Sequence, residues 1–346
     1  MVAASLLRWG SDTRAQRLFR EHVWSAPGDR PADERLLALL EPRPELRTAA
    51  LRSARSAASE ALRRAAAGQA APLVFGQDAY PARLVNLPDP PVILWAAGHP
   101  DILLRPAVAI VGSRRAMPAS LATARRLARD LAAAGIVIVS GMARGVDAAA
   151  HEGALDAGGA TVAVLGCGID VVYPRSHEGL ARSILRTGCL VSELPPGAPP
   201  LPRHFPLRNR IISGLSLAVV VVEAAERSGS LITARTALEQ GRDVLAVPGA
   251  VVSGCHRGCH ALIKDGAGLV ETVDDVLAAL GVSRSPGRPP VAEGLVAQLK
   301  AGAPVSLEEL SNRTRRPVAE LLAELGALEV EGLVARMAGG LFVRLD

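Results

Sequence analysis

Aromatic residues are scarce: phenylalanine, tryptophan and tyrosine make up 3% of the 346 residues. A chain so poor in rings cannot repeat base-stacking platforms along a groove as aromatic-rich single-strand binders do. Lysine is nearly absent. Lys264 and Lys300 stand alone, so arginine supplies 37 of the 39 basic residues. Long uncharged runs are missing as well; those such as residues 131–143 end near thirteen residues. A bilayer-spanning helix needs about 20, so no membrane span and no membrane partner are expected. Arg8, Asp12 and Arg14 interrupt the N-terminus before a signal-peptide-like apolar stretch develops. Four cysteines in such a length make no disulfide scaffold, which points to a reducing, cytoplasmic setting.

What is present is ordinary in bulk. With 49% hydrophobic and 21% charged residues, wholesale disorder is excluded. The length suits two or three domains at about 150 residues each. The net charge of +5 permits a polyanionic partner without establishing one. An excess of Arg, Ala, Gly and Pro together is also what GC-rich codons give, so the placement of charge has to decide.

Residues 1–75 alternate Arg with Ala and Leu and carry 12 basic against 8 acidic residues. Residues 31–40 and 44–67 read as helices, the first led by Pro31. A small helical module of helix-hairpin or SAM-like type is expected there. From 76 to 282 the pattern changes. Residues 107–111, 136–139, 161–165, 190–192, 217–222 and 244–247 are short apolar runs rich in β-formers, separated mostly by amphipathic stretches. Such alternation predicts an α/β domain, a Rossmann-like parallel sheet covered on both faces. Residues 283–290 read as a Gly/Pro/Ser linker. Residues 291–346 then predict a helix over 291–301, a second opened by the capping box Ser306-Leu307-Glu308-Glu309, and a third starting at Pro317. A hairpin around Gly339-Gly340 follows. Three helices and a two-stranded wing describe a winged helix-turn-helix.

Ligands on parallel sheets bind outside the carboxyl ends of the strands, so the residues after each run are the place to look. After the first strand comes Gly112-Ser113-Arg114-Arg115, then a helix led by Pro118: a close backbone approach, a helix N-terminus and two cations, together an anion site. The second and third glycines of a dinucleotide fingerprint are missing. The second strand ends in Ser140-Gly141-Met142-Ala143-Arg144, where Asp147 reads as a helix cap and His151 as a structural ring on a helix face. The third ends in Gly166-Cys167-Gly168, with Tyr173-Pro174 beyond; Cys167 reads as a small buried thiol. A Pro-rich connection leads to His204-Phe205-Pro206-Leu207-Arg208-Asn209-Arg210. With Arg203 this is the densest polar cluster of the chain, offering guanidinium forks for phosphate and a ring for a base. Ser228-Gly229-Ser230 forms a third Gly/Ser loop at a helix start. Each loop taken singly is also compatible with a plain turn carrying solvated arginines. Several along one edge suit an extended polyanion better than a small cofactor.

Residues 255–260 hold two Cys and two His, but at no metal-site spacing. No P-loop, H-E-x-x-H or G-x-S-x-G occurs. A binding protein with no cofactor and no metal is therefore expected over an enzyme.

Taken together the motifs resemble the DNA-processing protein A family (DprA, also called Smf). They are Ile110-Val111-Gly112-Ser113-Arg114, Ser140-Gly141 to Val146-Asp147, Val164-Leu165-Gly166-Cys167-Gly168-Ile169-Asp170, Phe205-Pro206-Leu207-Arg208-Asn209-Arg210-Ile211-Ile212, Ser228-Gly229-Ser230-Leu231-Ile232-Thr233-Ala234 and Ala246-Val247-Pro248-Gly249. The resemblance spans about residues 80–280, and the helical N-terminus and winged helix are similar to known layouts. It implies an extended Rossmann domain that binds single-stranded DNA, dimerises, and contacts the RecA recombinase, which it loads onto incoming DNA during natural transformation. It also implies that Gly112 to Arg114 and Phe205 to Arg210 belong to the DNA pocket. The chain departs from the pattern at His260, where an Asn is common, and Arg203 stands for a cation usual just before the Phe. Two alternatives are kept. A nucleotide-processing, phosphoribohydrolase-like enzyme would need a Pro-Gly-Gly-x-Gly-Thr loop that is absent. A transcription regulator would rest on the winged helix alone, whose region from 287 onward carries 7 basic and 8 acidic residues.

Overall fold

Successive side chains of a strand point to opposite faces, so a run that is apolar at every position needs cover on both sides. The computed structural model of the chain, which describes residues 44–282, 295–299, 304–330, 334–337 and 340–344, meets that demand. The chain divides into two units between Val282 and Ser283. In the first, helix α1 (Pro44–Ala67) leads into β1 (Ala70–Val74), the short helix α2 (Ala82–Val85) and β2 (Ile93–Gly98). Then follow β3 (Ala107–Val111), α3 (Pro118–Ala133), β4 (Val137–Ser140), α4 (Val146–Asp156), β5 (Thr161–Val164), α5 (Glu178–Thr187) and β6 (Cys189–Ser192). The unit ends with α6 (His204–Leu215), β7 (Ala218–Val221), α7 (Gly229–Glu239), β8 (Asp243–Ala246), α8 (Arg257–Lys264), β9 (Gly268–Leu269) and α9 (Val273–Ala279).

These strands form one nine-stranded sheet in the order β1-β2-β6-β5-β4-β3-β7-β8-β9. From β6 to β9 every pairing is parallel, so the expected α/β, Rossmann-like sheet is observed. Alternation decides the two faces. Ala107, Ala109 and Val111 pack with Ile211, Ile212 and Leu215 of α6 and Ala234 and Ala237 of α7. Val108 and Ile110 pack with Leu127 and Leu131 of α3 and Ala150 and Ala154 of α4.

The sheet extends further than the apolar runs foretell. β1 and β2 pair antiparallel, and β2 pairs antiparallel with β6, adding two strands that contain Pro72 and Trp95. A helical module ending at residue 75 therefore needs correction: residues 70–74 are a strand of the sheet, and Ala61 and Ala65 of α1 share a core cluster with Trp95. The helix expected at 31–40 and the rest of the module before residue 44 lie outside the described residues.

The second unit has its own core of Leu295, Leu299, Val305, Leu310, Leu321, Leu325, Val334 and Phe342. Helices α10 (Leu307–Thr314) and α11 (Val318–Val330) pack with a three-stranded sheet of β10 (Val305–Ser306), β11 (Val334–Arg336) and β12 (Leu341–Arg344), a winged helix. Ser306 caps α10, its hydroxyl accepting from the Glu309 N–H at 3.1 Å. The sheet has one strand more than the expected hairpin, and Leu295–Gln298 is a 3-10 turn, while residues 291–294 and 300–301 of the expected helix lie outside the described residues. Arg316 is held by Glu320 at 2.6 Å and Glu324 at 2.7 Å, so α11 starts with its cation already neutralised.

Trp95 is 1% exposed and is the largest fully buried side chain among the described residues. Trp95→Ala should lower the unfolding free energy by about 3–5 kcal/mol in a urea titration, through lost burial and the cavity left behind.

Candidate nucleic-acid interface

β3 and β7 are neighbours, yet the chain visits β4, β5 and β6 between them. Strand order reverses at this pair, and a doubly wound sheet opens a crevice for ligand outside the carboxyl ends at such a point. The loops after β3 and β7, residues 112–115 and 223–230, flank it. A cavity of ≈ 380 Å³ lies there, lined by Gly112, Arg114, Phe205, Arg208, Asn209, Ser228, Gly229 and Ser230 among the expected site residues. Tyr173, Asp147, Ile232 and Thr233 also line it, and sequence reasoning gave none of them this place.

The segment 204–210 is not a basic loop but the first turns of α6. At about 100° per residue, Arg208 and Arg210 point in nearly opposite directions. Arg208 is 6% exposed. Its Nη1 donates to the Gly141 carbonyl at 2.6 Å and to the Val164 carbonyl, pinning the ends of β4 and β5 to α6. A Cβ on Gly141 would lie 2.6 Å from this guanidinium, so glycine is what lets the arginine in. Burial pulls the Arg208 pKa down to about 10, against the attraction of Asp147. Burial also raises the Asp147 pKa, opposed by Arg208 and by the N–H groups of Ala143 and Gly141. Asp147 does not cap α4, as the sequence led us to expect. Gly145 holds the cap position, and the Asp147 carboxylate accepts from Gly141 N–H at 3.1 Å and Ala143 N–H at 3.3 Å.

Above this floor sits the aromatic pair. Phe205 packs against Gly166, where a Cβ would meet its ring at 2.7 Å. The Tyr173 ring lies 5.6 Å from that of Phe205, tilted by 41°, and Tyr173 is 45% exposed. The Arg114 guanidinium lies over Phe205, 5.5 Å from the ring centre, a cation–π contact. Ser228 caps α7, accepting from the Ser230 N–H at 3.3 Å, and the two hydroxyls bond each other at 2.7 Å. The start of α7 thus faces the cavity with its partial positive charge.

The remaining expected residues divide cleanly. Arg115, Arg144 and Arg203 are exposed, like Arg114; Arg114 feels the Asp147 carboxylate, and the other three form no ion pair among the described residues. Ser113 is half-buried, its hydroxyl accepting from the Arg115 N–H at 3.2 Å. Ser140 is fully buried and donates to the Ile110 carbonyl at 2.7 Å; Gly141 is buried beneath Arg208. Neither presents a free donor to a phosphate. Arg210 is turned away, paired with Glu193 at 2.7 Å and Asp89 at 3.3 Å. Burial lowers its pKa, but the two carboxylates outweigh burial and leave it raised. The expectation of a DNA contact from Ser140, Gly141 and Arg210 is corrected accordingly: these three build the site rather than face a ligand.

The other chemically suggestive groups are structural. Burial lifts the Cys167 thiol to about 11, and it donates to the Val171 carbonyl at 3.0 Å. His260 Nε2 meets the Gly249 carbonyl at 3.0 Å, and among the described residues no cluster could hold a metal ion. His151 is fully buried. Thr161 Oγ1 gives its proton to the Ile138 carbonyl, so His151 Nδ1–H donates to Thr161 Oγ1 at 2.7 Å. Nε2 has no partner.

Burial, with His177 and Arg208 nearby, depresses the His151 pKa to about 3. The unfolded chain therefore takes up a proton first as pH falls below about 6.5, and this group costs up to about 1.4 kcal/mol of stability per pH unit there. His151→Leu should remove that loss. Urea titrations of both proteins at about pH 7 and pH 5 should show the stability difference shifting toward the variant in acid; a pH-independent difference would contradict a buried neutral ring.

Comparison with known proteins agrees with this architecture. The profile of the DNA recombination-mediator protein A family matches residues 71–281, and that of the DprA winged helix domain matches residues 282–340. The chain is 47% identical over 201 residues to DNA processing protein DprA of Streptococcus pneumoniae, covering 58% of this chain and 71% of that one. It is 42% identical over 283 residues to protein Smf of Escherichia coli, covering 77% and 75%. The X-ray structure of DNA processing protein A from S. pneumoniae superposes with a TM-score of 0.69 at 36% identity, over 80% of this chain and 95% of that one. A structure describing the single-stranded DNA binding mode of DNA processing protein A from Helicobacter pylori superposes at 0.56 and 32% identity, over 61% and 95%. With a sheet domain and a winged helix each matching its counterpart, the chain belongs to the DNA recombination-mediator protein A (DprA) family.

Proposed function

We propose that this protein binds single-stranded DNA along the strand-end edge of its sheet, gripping phosphates more than bases. The observation that carries the reading is the set of exposed guanidiniums of Arg114, Arg115, Arg144 and Arg203 on the loops and helix start of that edge, with Arg114 also lining the cavity. Arginine forks suit phosphate oxygens, and the start of α7 adds backbone N–H groups. The H. pylori relative, whose structure describes a single-stranded DNA binding mode, supports the same ligand here.

The wider role we propose, which family membership supports, is protection of incoming single strands and loading of RecA onto them in natural transformation, by a homodimer formed through the Rossmann domain in the cytoplasm. Among the described residues no helix is long and apolar enough to cross a membrane. Binding rather than catalysis also fits the cavity. A base-releasing enzyme needs a carboxylate free to act on the sugar, and Asp147 is engaged by two backbone N–H groups and Arg208. The winged helix, with Arg316 neutralised just before its second helix, serves a protein contact or an ancillary role better than duplex reading.

Single-strand affinity should fall steeply with salt. Arg114→Ala should weaken binding about tenfold and reduce the log–log salt slope by about 0.7, the share of one phosphate contact. Arg210→Ala should instead lower thermal stability, because the carboxylates of Glu193 and Asp89 lose this cation, and should leave the slope unchanged. Identical slopes for wild type and Arg114→Ala in fluorescence anisotropy would remove Arg114 from the interface. For the wider role, RecA filaments should form faster on protein-coated single strands in the presence of this protein; an unchanged rate counts against loading.

A further inference from the structure

Proline dominates the connection between β6 and α6: residues 193–203 include Pro195, Pro196, Pro199, Pro200 and Pro202. Each fixes its own φ and lacks an N–H, so the segment is a stiff strap with few donors to tie it down. Two hydrogen bonds hold its middle to the loop after β5. Gly168 N–H donates to the Ala198 carbonyl at 2.8 Å, and Gly197 N–H donates to Asp170 Oδ1 at 2.6 Å. Gly197 sits at φ +85°, a conformation that favours glycine, and a Cβ there would run into the Arg64 guanidinium.

The other oxygen of Asp170 is held by Arg64. This arginine stands in the last turn of α1, 106 positions away, and its Nε and Nη2 both donate to Asp170 Oδ2, at 3.2 and 2.7 Å. One carboxylate thus joins α1, the loop after β5 and the strap. Both residues are exposed, so the ion pair adds little to global stability; what it fixes is local, the place of the strap. Downstream, His204 Nδ1 meets the Pro199 carbonyl at 3.1 Å, fastening the strap to the first turn of α6. Pro200 and Pro202 line the cavity, and Arg203 and Phe205 follow directly.

We propose that Arg64 is a positioning residue for single-strand binding: through Asp170 it holds the strap so that Arg203 and Phe205 are in place before DNA arrives. The inference rests on the single-strand reading above and gives α1, the last helix before the sheet, a part in it. Arg64 itself is committed to a carboxylate and touches no phosphate in this role. When the binding-competent form is only partly populated, apparent affinity falls by that fraction. Releasing the strap therefore weakens binding without removing any contact to DNA, because the ordering is then done at the moment of association.

The test measures binding of a mixed-sequence single strand to the full-length protein by fluorescence anisotropy across a salt series, with thermal melts alongside, for Arg64→Gln, Asp170→Asn and the double variant. Arg64→Gln should weaken binding about threefold at fixed salt, within the reach of one partly screened ion pair. Its log–log salt slope should match wild type, since no phosphate contact is lost. Asp170→Asn should weaken binding at least as much, and the double variant no further than Asp170→Asn alone, because Arg64 acts through that carboxylate. Arg64→Lys, which keeps the charge but not the fork, should fall between wild type and Arg64→Gln, and it carries the test if the glutamine variant does not fold. Wild-type affinity in Arg64→Gln, whatever its melting temperature, would overturn the inference by leaving the pair a purely structural role. A slope reduced by about 0.7 would overturn it too, by making Arg64 a phosphate contact, and so would additive losses in the double variant. A wild-type protein that binds no single strand even at low salt would instead overturn the single-strand reading, and this inference with it.

Discussion

The site is organised by a charge that cannot leave. Arg208 enters from α6 beneath the cavity and donates through Nη1 to the carbonyls of Gly141 and Val164, at the ends of two neighbouring strands. A buried cation is costly unless hydrogen-bonded and compensated, which ties the position of Asp147, and through its two backbone bonds the course of the 141–143 loop, to the same guanidinium. Phe205, one turn earlier on α6, is set over Gly166 by the same anchoring. Arg114, Arg115, Arg144 and Arg203 stay exposed on the loops around this buried cation.

Division of labour among arginines explains how a protein with so few aromatics and almost no lysine builds both a fixed site and a cationic surface around it. Guanidiniums here do three separate jobs: Arg208 fixes strand ends, Arg210 closes an ion-pair network, and Arg114 lies over a ring with its edge toward solvent. An ammonium would perform the first poorly, since it lacks the planar fork, and the third weakly, since it holds its water more tightly.

Much of the fold was legible because parallel strands buried on both faces are written as unbroken apolar runs. Residues 107–111, 161–165 and 244–247 were placed within a residue or so of β3, β5 and β8. β1 and β2 were not, for a physical reason. Ala70-Ala71-Pro72-Leu73-Val74 contains a proline that argues against a strand, and its position depends on β2 pairing with β6, nearly a hundred residues downstream. At the site, strand-end loops told where to look, and Tyr173 was visible as a ring after a strand. The roles of Arg208 and Arg210 could not be separated, because they are two residues apart and differ only in partners distant in sequence. Asp89 lies 121 positions from Arg210, and Val164 lies 44 from Arg208.

Pro72 has a consequence beyond disguising β1. The outermost strand of a sheet offers a row of backbone donors and acceptors to any passing extended chain, and a proline within it deletes a donor from that row. At the opposite border β9 is only Gly268–Leu269, too short to template a partner of useful length. Among the described residues the sheet is thus hard to extend at either border, which works against filament growth through its own backbone.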